Sequence, residues 1–310
     1  MLRLMLLGLA AGMFFSATFV LNRAMSLDGG HWYWSAALRY AYMLIFLGLG
    51  ISVCRGFGYF REVLCELRRN WLFWSVSGSV GFGGFYALIC YAADHSPGWV
   101  VATTWQLTII ASLVVLRLFG KTFAKRIWVY SAVIFAGVLL VNVSQVEAAN
   151  AMTLLAGSLP VAVAAFLYPL GNQLVWEAKH RRKGLPAVSD DLLENVFAKV
   201  FLLSAGSVPF WILLWPITDA TVPAHGQLVN AAMVALFSGV IATSLFLSAR
   251  SAADHASQLA AVDATQSSEV IFALAGEVLF LQASLPNLTG VFGILLAAAG
   301  LLAFVRHEHD

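Results

Sequence analysis

Long apolar runs separated by short polar turns follow one another along the whole chain. Each run approaches or exceeds about 20 residues, the length that an α-helix needs to cross the hydrocarbon core of a bilayer. Charged, proline or glycine-rich stretches mark the turns between the runs. The pattern predicts an all-α integral membrane protein of ten transmembrane helices, at residues 2–26, 31–54, 71–93, 98–118, 127–145, 152–178, 197–217, 230–250, 258–282 and 287–306.

No soluble domain is expected beside these helices. The longest polar connector, residues 179–195, is too short to form a core of its own. The first apolar run continues to the polar residues Asn22 and Arg23 without an obvious small-residue cleavage site, so we interpret it as a spanning helix and not as a signal peptide.

The composition and the placement of charge agree with a membrane protein. Hydrophobic residues make up 60% of the 310 residues and charged residues 11%, whereas soluble domains have about 45–50% and 25%. If the N-terminus is cytoplasmic, sixteen of the 18 Lys and Arg residues lie on the cytoplasmic side, and only Arg23 and Arg39 do not. This distribution predicts that both termini are cytoplasmic, and it explains the basic run at 180–183 without a nucleic-acid partner.

The tetrapeptide AADH occurs twice, at 92–95 and at 252–255. Residues 90–106, CYAADHSPGWVVATTWQ, align without a gap with residues 250–266, RSAADHASQLAAVDATQ, and the alignment also matches Gln106 with Gln266. The two copies fall between corresponding spans of two five-helix halves, 1–150 and 151–310. Because five is odd, the second half must cross the membrane in the opposite direction. Such inverted repeats are typical of secondary transporters, whose binding sites lie near the bilayer midplane.

The AADH copies also suggest a hydrolytic pair in which Asp orients His, but the topology places them on opposite membrane faces. Capping of the next helix by Asp94 or Ser96 is a sufficient explanation of the first copy. The sequence contains no GxxxxGK[ST] motif, no HExxH motif and no Cys/His cluster. We therefore expect no enzymatic activity, no cofactor and no metal.

Several strings along the chain resemble a known family: GMFFSATFVLNRAM, HWYWSAALRY, PGWVVATTWQLTIIAS, LPVAVAAFLYPLGNQ, FSGVIAT and LAAVDATQSSEVIFALAGE. With the ten spans in two halves, they resemble the drug/metabolite transporter superfamily of EamA-like proteins, and within it the branch of multidrug resistance efflux transporters. The resemblance covers essentially the whole chain. It implies a ten-helix exporter in a bacterial inner membrane.

The ninth predicted span contains the candidate proton and substrate site. Asp263, Gln266, Glu269 and Glu277 fall within an arc of about 120° on one helix face. Ionisable residues inside a membrane mark functional sites by default. Desolvation favours the protonated form of a carboxyl group, so a proton and a cationic substrate would compete for it. Glu269, near the middle of the span, is the first candidate, and the alternative is a structural ion pair with Arg39, for which Glu277 has the better depth.

The fourth predicted span is the counterpart of the ninth and is polar but uncharged. Trp105 and Gln106 lie on it at the positions aligned with Thr265 and Gln266. The acidic ninth span and the aromatic, uncharged fourth span together suit a ligand with a charged end and a flat apolar body. Trp105 could offer a cation–π face, with Phe14, Tyr40 and Tyr168 as more distant candidates; for the latter three, packing or interfacial anchoring is the stronger interpretation.

Together these features predict a secondary exporter of cationic or aromatic amphipathic small molecules. Its partners would be the substrate, protons and the lipid bilayer, and its mechanism proton-coupled antiport by alternating access. An uncoupled amino-acid or metabolite facilitator of the same fold is the alternative. A membrane-embedded enzyme or sensor would need a convergent nucleophile and base, which the sequence does not offer.

Overall fold

The computed structural model describes residues 2–121, 125–145, 151–252, 258, 262 and 265–307. Within these residues the chain forms helices and turns and no strand. The helices are α1 (Leu2–Leu27), α2 (Trp32–Arg55), α3 (Phe57–Arg69), α4 (Trp71–His95), α5 (Gly98–Leu118), α6 (Lys125–Val143), α7 (Ala151–Lys179), α8 (Asp190–Glu194), α9 (Val196–Ile217), α10 (His225–Arg250), α11 (Ser268–Leu281) and α12 (Leu288–His307).

Seven of these helices are long and apolar enough to cross a membrane: α1, α2, α4, α5, α7, α9 and α10. Two shorter apolar stretches, Ile127–Val143 in α6 and Leu288–Phe304 in α12, correspond to further predicted spans. The ninth predicted span, 258–282, is described as a helix only from Ser268, after a short 3-10 turn at Thr265–Ser267. The prediction of an all-α, multi-pass membrane protein is confirmed.

The outer surface of the bundle is apolar, as a lipid-facing surface must be. Large hydrophobic side chains such as Leu49, Val53, Leu279 and Phe280 are more than half exposed. The interior instead holds large side chains of α4 and α9, among them Trp74, Tyr86, Leu202 and Leu203, which are almost fully buried. The protein therefore has a closely packed interior and an apolar outer surface, as expected for a helical bundle surrounded by lipid.

Glycines let α4 approach its neighbours at backbone distance. A Cβ at Gly81 would lie 2.8 Å from Gly171 Cα in α7, and one at Gly206 in α9 would overlap the carbonyl of Trp74. Close approach of this kind replaces hydrophobic attraction as the source of helix association in lipid. The helices around α4 therefore form a tightly fixed group.

Helix α3 lies within residues 55–70, between the predicted spans 31–54 and 71–93. Only Val63 and Glu66 of this 13-residue helix are buried. The Glu66 carboxylate accepts hydrogen bonds from Arg69 (2.9 Å), Asn70 (2.7 Å) and the indole N–H of Trp74 (3.2 Å). It therefore joins the surface helix to the start of α4.

Two helices contain π-helical segments, Ser79–Gly84 in α4 and Ala235–Ala242 in α10. Such segments are rare and often occur at functional sites. Helix α1 packs against α10 and α11, helix α7 packs against α4 and α5, and α6 packs against α12. The first two of these groups, together with α2, α9 and α12, enclose a central cavity.

Candidate functional site

A cavity of about 580 Å³ lies between α1, α2, α4, α5, α7, α9, α10, α11 and α12. Its size falls in the range of sites that bind small organic molecules. The lining combines aromatic, hydroxyl, amide and charged side chains. Among the lining residues are Arg39, Tyr40, Phe85, Tyr86, Trp105, Gln106, Thr108, Tyr168, Asn172, Lys199, Ser238, Arg250, Gln266 and Glu269.

The cavity brings together five of the seven residues that the sequence singled out: Arg39, Trp105, Gln106, Gln266 and Glu269. They come from α2, from the middle of α5 and from the start of α11. The sixth, Glu277, lies farther along α11 and is not in the lining. The seventh, Asp263, falls outside the described residues.

Glu269 occupies the first turn of α11 and is 8% exposed. Its carboxylate has no hydrogen-bond or salt-bridge partner anywhere in the part of the chain that the structure describes. A buried carboxylate is normally paired, because its desolvation is costly. An unpaired one at a cavity wall is available to a proton or to a cationic ligand.

Arg39 lines the cavity from α2. Its Nη2 donates to Ser238 Oγ at 3.1 Å, and its guanidinium lies 4.0 Å from the centre of the Tyr86 ring. The Tyr86 hydroxyl in turn accepts from Asn22 Nδ2 at 3.0 Å. Arg39 Nε is buried and has no partner. Arg39 is thus held by a hydroxyl and an aromatic face, and no salt bridge to it is found among the described residues.

Sequence reasoning missed the residues that hold Arg39. Ser238 lies in the π-helical segment of α10, which no sequence signal marks, and Tyr86 was one of 8 tyrosines in a chain rich in aromatic residues. Asn22 drew attention only as a polar residue near the end of a span. Their roles depend on contacts between distant segments.

The Glu277 carboxylate binds the beginning of α5. Its oxygens accept from the backbone N–H groups of Gly98 (2.7 Å) and Trp99 (3.1 Å), and the residue is 1% exposed. A carboxylate at a helix N-terminus satisfies otherwise unpaired N–H groups and complements the helix dipole. The alternative pairing of Glu277 with Arg39 is therefore wrong, because the amide groups of α5 occupy the Glu277 carboxylate.

The same contact corrects the expected capping of α5. The N-cap residue is Pro97, and no side chain of the preceding loop makes a capping hydrogen bond, neither Asp94 nor Ser96. The cap comes from Glu277, 179 positions along the chain from Gly98. Gly98 permits this approach, since a Cβ there would lie 3.2 Å from Glu277 Oε1 and 2.7 Å from the carbonyl oxygen of Phe19.

Aromatic rings form one wall of the cavity. The Trp105 ring lies 5.1 Å from Phe85 and 5.7 Å, edge-on, from Tyr168, measured between ring centres. Tyr40 also lines the cavity, whereas Phe14 packs against Phe237 at 5.7 Å and lies outside it. Trp105, Tyr40 and Tyr168 are thus placed to contact a ligand, and Phe14 is not.

A second cavity of about 460 Å³ adjoins the first. The two share Tyr168, Asn172 and Lys199 in their linings. The second is formed by the C-terminal parts of α5 and α7 and the start of α9, and it also carries Lys179 and His180. The second cavity thus lies beside the central one, toward these helix ends.

A helical bundle with a mixed aromatic and charged cavity at its centre is the architecture of a membrane transporter. Comparisons with known proteins agree. The family model described as "EmrE: Putative multidrug resistance efflux transporter" matches residues 2–310. The chain belongs to this family of membrane transporters, within the drug/metabolite transporter superfamily.

Two relatives and one solved structure resemble the chain over much of its length. "Uncharacterized protein YjlA" of Bacillus subtilis (strain 168) is 37% identical over 97% of this chain and 94% of its own length. A protein of Shouchella clausii, "Uncharacterized 42.1 kDa protein in intracellular alkaline protease 3'region", is 36% identical over 79% of this chain and 64% of its own length. A crystal structure with 16% identity and a TM-score of 0.59 covers 97% of this chain and 94% of that chain, so the two share a fold.

Proposed function

We propose that the protein is a secondary exporter of cationic or aromatic amphipathic small molecules, driven by proton influx through alternating access. The uncoupled facilitator is the competing proposal within the same fold. The family supports export in general terms, and the proposed details rest on the cavity.

The observation that carries the proposal is the unpaired carboxylate of Glu269 at the wall of an aromatic cavity. Antiport needs a group that binds either a proton or the substrate, but not both at once. A desolvated carboxylate without a protein partner meets this requirement, because each of the two ligands relieves the cost of its buried charge. Trp105 and Tyr168 supply the faces for the apolar part of the substrate.

The proposed architecture is ten membrane-spanning helices in two inverted halves, 1–150 and 151–310. The gapless alignment by 160 positions is supported by irregularities that fall at aligned places. Helix α5 is interrupted at Gln106, and the 3-10 turn before α11 is centred on the aligned Gln266. The π segments of α4 and α10 overlap when shifted by the same interval. Equivalent packing of α1 on α11 and of α7 on α5 is also what such a repeat requires.

We further propose a bacterial inner-membrane location with both termini in the cytoplasm. The second cavity lies at the ends of α5, α7 and α9 that carry Arg117, Lys179 and Lys199. By the distribution of basic residues these ends are cytoplasmic. We propose that the central cavity opens inward through the second one, the state in which an exporter takes up its substrate. Glu277 holds the start of α5 at the other end, and we propose that this end is closed.

Transport into everted membrane vesicles tests the proposal, with ethidium as an aromatic cationic probe. Wild type should accumulate ethidium when a proton gradient is imposed and release it when the gradient is collapsed. Glu269→Gln should abolish gradient-driven accumulation, because the amide binds neither a proton nor a cation. Glu194→Gln removes an exposed carboxylate and serves as the matched control, which should pump like wild type.

Two results would contradict the proposal in different ways. If Glu269→Gln pumped as well as wild type, Glu269 would not be the coupling group. If wild type equilibrated the probe equally with and without a gradient, the uncoupled facilitator would be the better description.

A further inference from the structure

The charges around the two cavities do not match a purely cationic ligand. The basic residues in the described lining are Arg39, Lys179, Lys199 and Arg250, with His180 beside them. Lys179 lies 3.4 Å from Glu194 and is thereby paired. Glu269 is the only carboxylate among the described lining residues. Arg39 and Lys199 form no salt bridge with a described carboxylate, and a ligand that carries an anionic group would compensate such charge.

Arg39 is the cation best placed to bind that group. It lines the cavity, and no described carboxylate forms a salt bridge with it. One of its donors binds Ser238, and Nε remains buried without a partner. The donors of a guanidinium form a planar fork that matches the two oxygens of a carboxylate. An anionic ligand group in the cavity would compensate the buried charge of the guanidinium.

A second unsatisfied atom lies in the same cavity. Thr108 Oγ1 is buried without a hydrogen-bond partner, and Thr108 belongs to the lining. Native proteins leave few buried polar atoms unpaired, and each needs a reason. Three side-chain atoms of the described residues are unpaired in this way, and two of them, Arg39 Nε and Thr108 Oγ1, belong to residues that line the one cavity. Polar groups at the cavity wall are thus left with hydrogen-bonding capacity that the described protein does not use.

The free carboxylate of Glu269 completes the site. Tyr168 lies within electrostatic range of both Arg39 and Glu269, which places one charge of each sign near the same aromatic ring. The rings of Phe85 and Trp105 lie beside it. We infer that the substrate is an amphipathic zwitterion, with a carboxylate at Arg39, an ammonium group at Glu269 and an apolar or aromatic body against Trp105 and Tyr168. This inference rests on the proposed export function and narrows its substrate class.

A matched set of indole compounds tests the inference. L-tryptophan carries both charges, its methyl ester only the positive one, and indole-3-propionate only the negative one. Counterflow of each compound is measured with the purified full-length protein in proteoliposomes, beside ethidium as the general probe. We expect tryptophan to exchange at least about tenfold faster than either single-charge analogue, since each analogue leaves one buried charge unpaired.

Two variants assign the effect to Arg39 and Thr108. Arg39→Gln should lower tryptophan exchange roughly 10- to 100-fold, the range of a charged hydrogen bond, and should not lower exchange of the methyl ester, which has no carboxylate. Thr108→Val should lower it a few fold with no loss of folding, because Thr108 Oγ1 has no partner in the protein. Arg61→Gln, at an exposed position of α3, is the control and should exchange like wild type.

The outcomes separate this inference from the proposed function. Suppose that the methyl ester or ethidium exchanged at least as fast as tryptophan, and that Arg39→Gln and Thr108→Val left that preference unchanged. A zwitterion would then be the wrong substrate class, whereas the proposed export function would be retained. If wild type moved none of the compounds, ethidium included, both the inference and the proposed function would fail.

Discussion

The Glu277 carboxylate allows a quantitative test of how the closed end of the bundle is held. Glu277→Gln keeps the shape of the side chain, but it removes the negative charge and replaces one acceptor oxygen by an NH₂ group. The two backbone N–H groups at 2.7 and 3.1 Å then share one acceptor, and one of them faces another donor.

The expected cost follows from these contacts. A hydrogen bond to a charged group contributes about 1.5–3 kcal/mol, and a buried charge at a helix N-terminus adds up to about 2 kcal/mol. Because the glutamine retains one of the two hydrogen bonds, we expect the free energy of unfolding to fall by roughly 2–4 kcal/mol.

The assay is equilibrium unfolding of the purified protein in mixed micelles with increasing sodium dodecyl sulfate. Glu194→Gln is the control, since Glu194 is 66% exposed and lies 3.4 Å from Lys179, and loss of such a surface pair should cost about 0–1 kcal/mol. If Glu277→Gln lowered the free energy of unfolding no more than this control does, the Glu277 carboxylate would not be the group that holds the start of α5.

Three further predictions concern the fold. Gly81→Ala should lower the free energy of unfolding by about 1–3 kcal/mol in the same assay, because its Cβ would meet the backbone of α7. Gly50→Ala is the control and should not destabilise the protein, because its Cβ would meet nothing within 4 Å. Equal losses of stability in the two variants would contradict the close packing. Glu66→Gln should lower the free energy of unfolding by about 1–3 kcal/mol, because a neutral amide cannot accept equally from Arg69, Asn70 and Trp74. The variant should also be cleaved faster by proteases between α3 and α4. Unchanged cleavage would show that Glu66 does not hold α3 to α4. In a cysteine-free background, His95→Cys should react with a membrane-impermeant maleimide from outside the cell and His255→Cys only in everted vesicles; labelling from the same side would exclude the inverted repeat.

Hydropathy predicted most of the helices to within a few residues. The predicted span 98–118 coincides with α5, and 71–93 ends two residues before α4 does. Such runs are readable because a membrane helix must be apolar over its whole length. Helix α3 was missed because it has charged residues on one face and lies outside the apolar runs.

The candidate site was predictable where charge stood out in an apolar background. Glu269 and Arg39 were found for this reason, and both line the cavity. The partners of Arg39 and the capping of α5 by Glu277 were not predictable, because they join segments 199 and 179 positions apart. A single sequence shows which residues need a partner, but the tertiary packing decides which partner each one finds.

The π-helical segment of α10 has a mechanical consequence. A π segment is an α-helix with an added residue, so moving the insertion along the helix by one turn rotates the residues that it passes by about 100° about the axis. Ser238 lies within this segment and binds Arg39. Such a shift would release Ser238 from the guanidinium while both ends of α10 stayed where they are. The π segment thus allows the contact between Ser238 and Arg39 to be broken in the middle of α10 without a tilt of the whole helix.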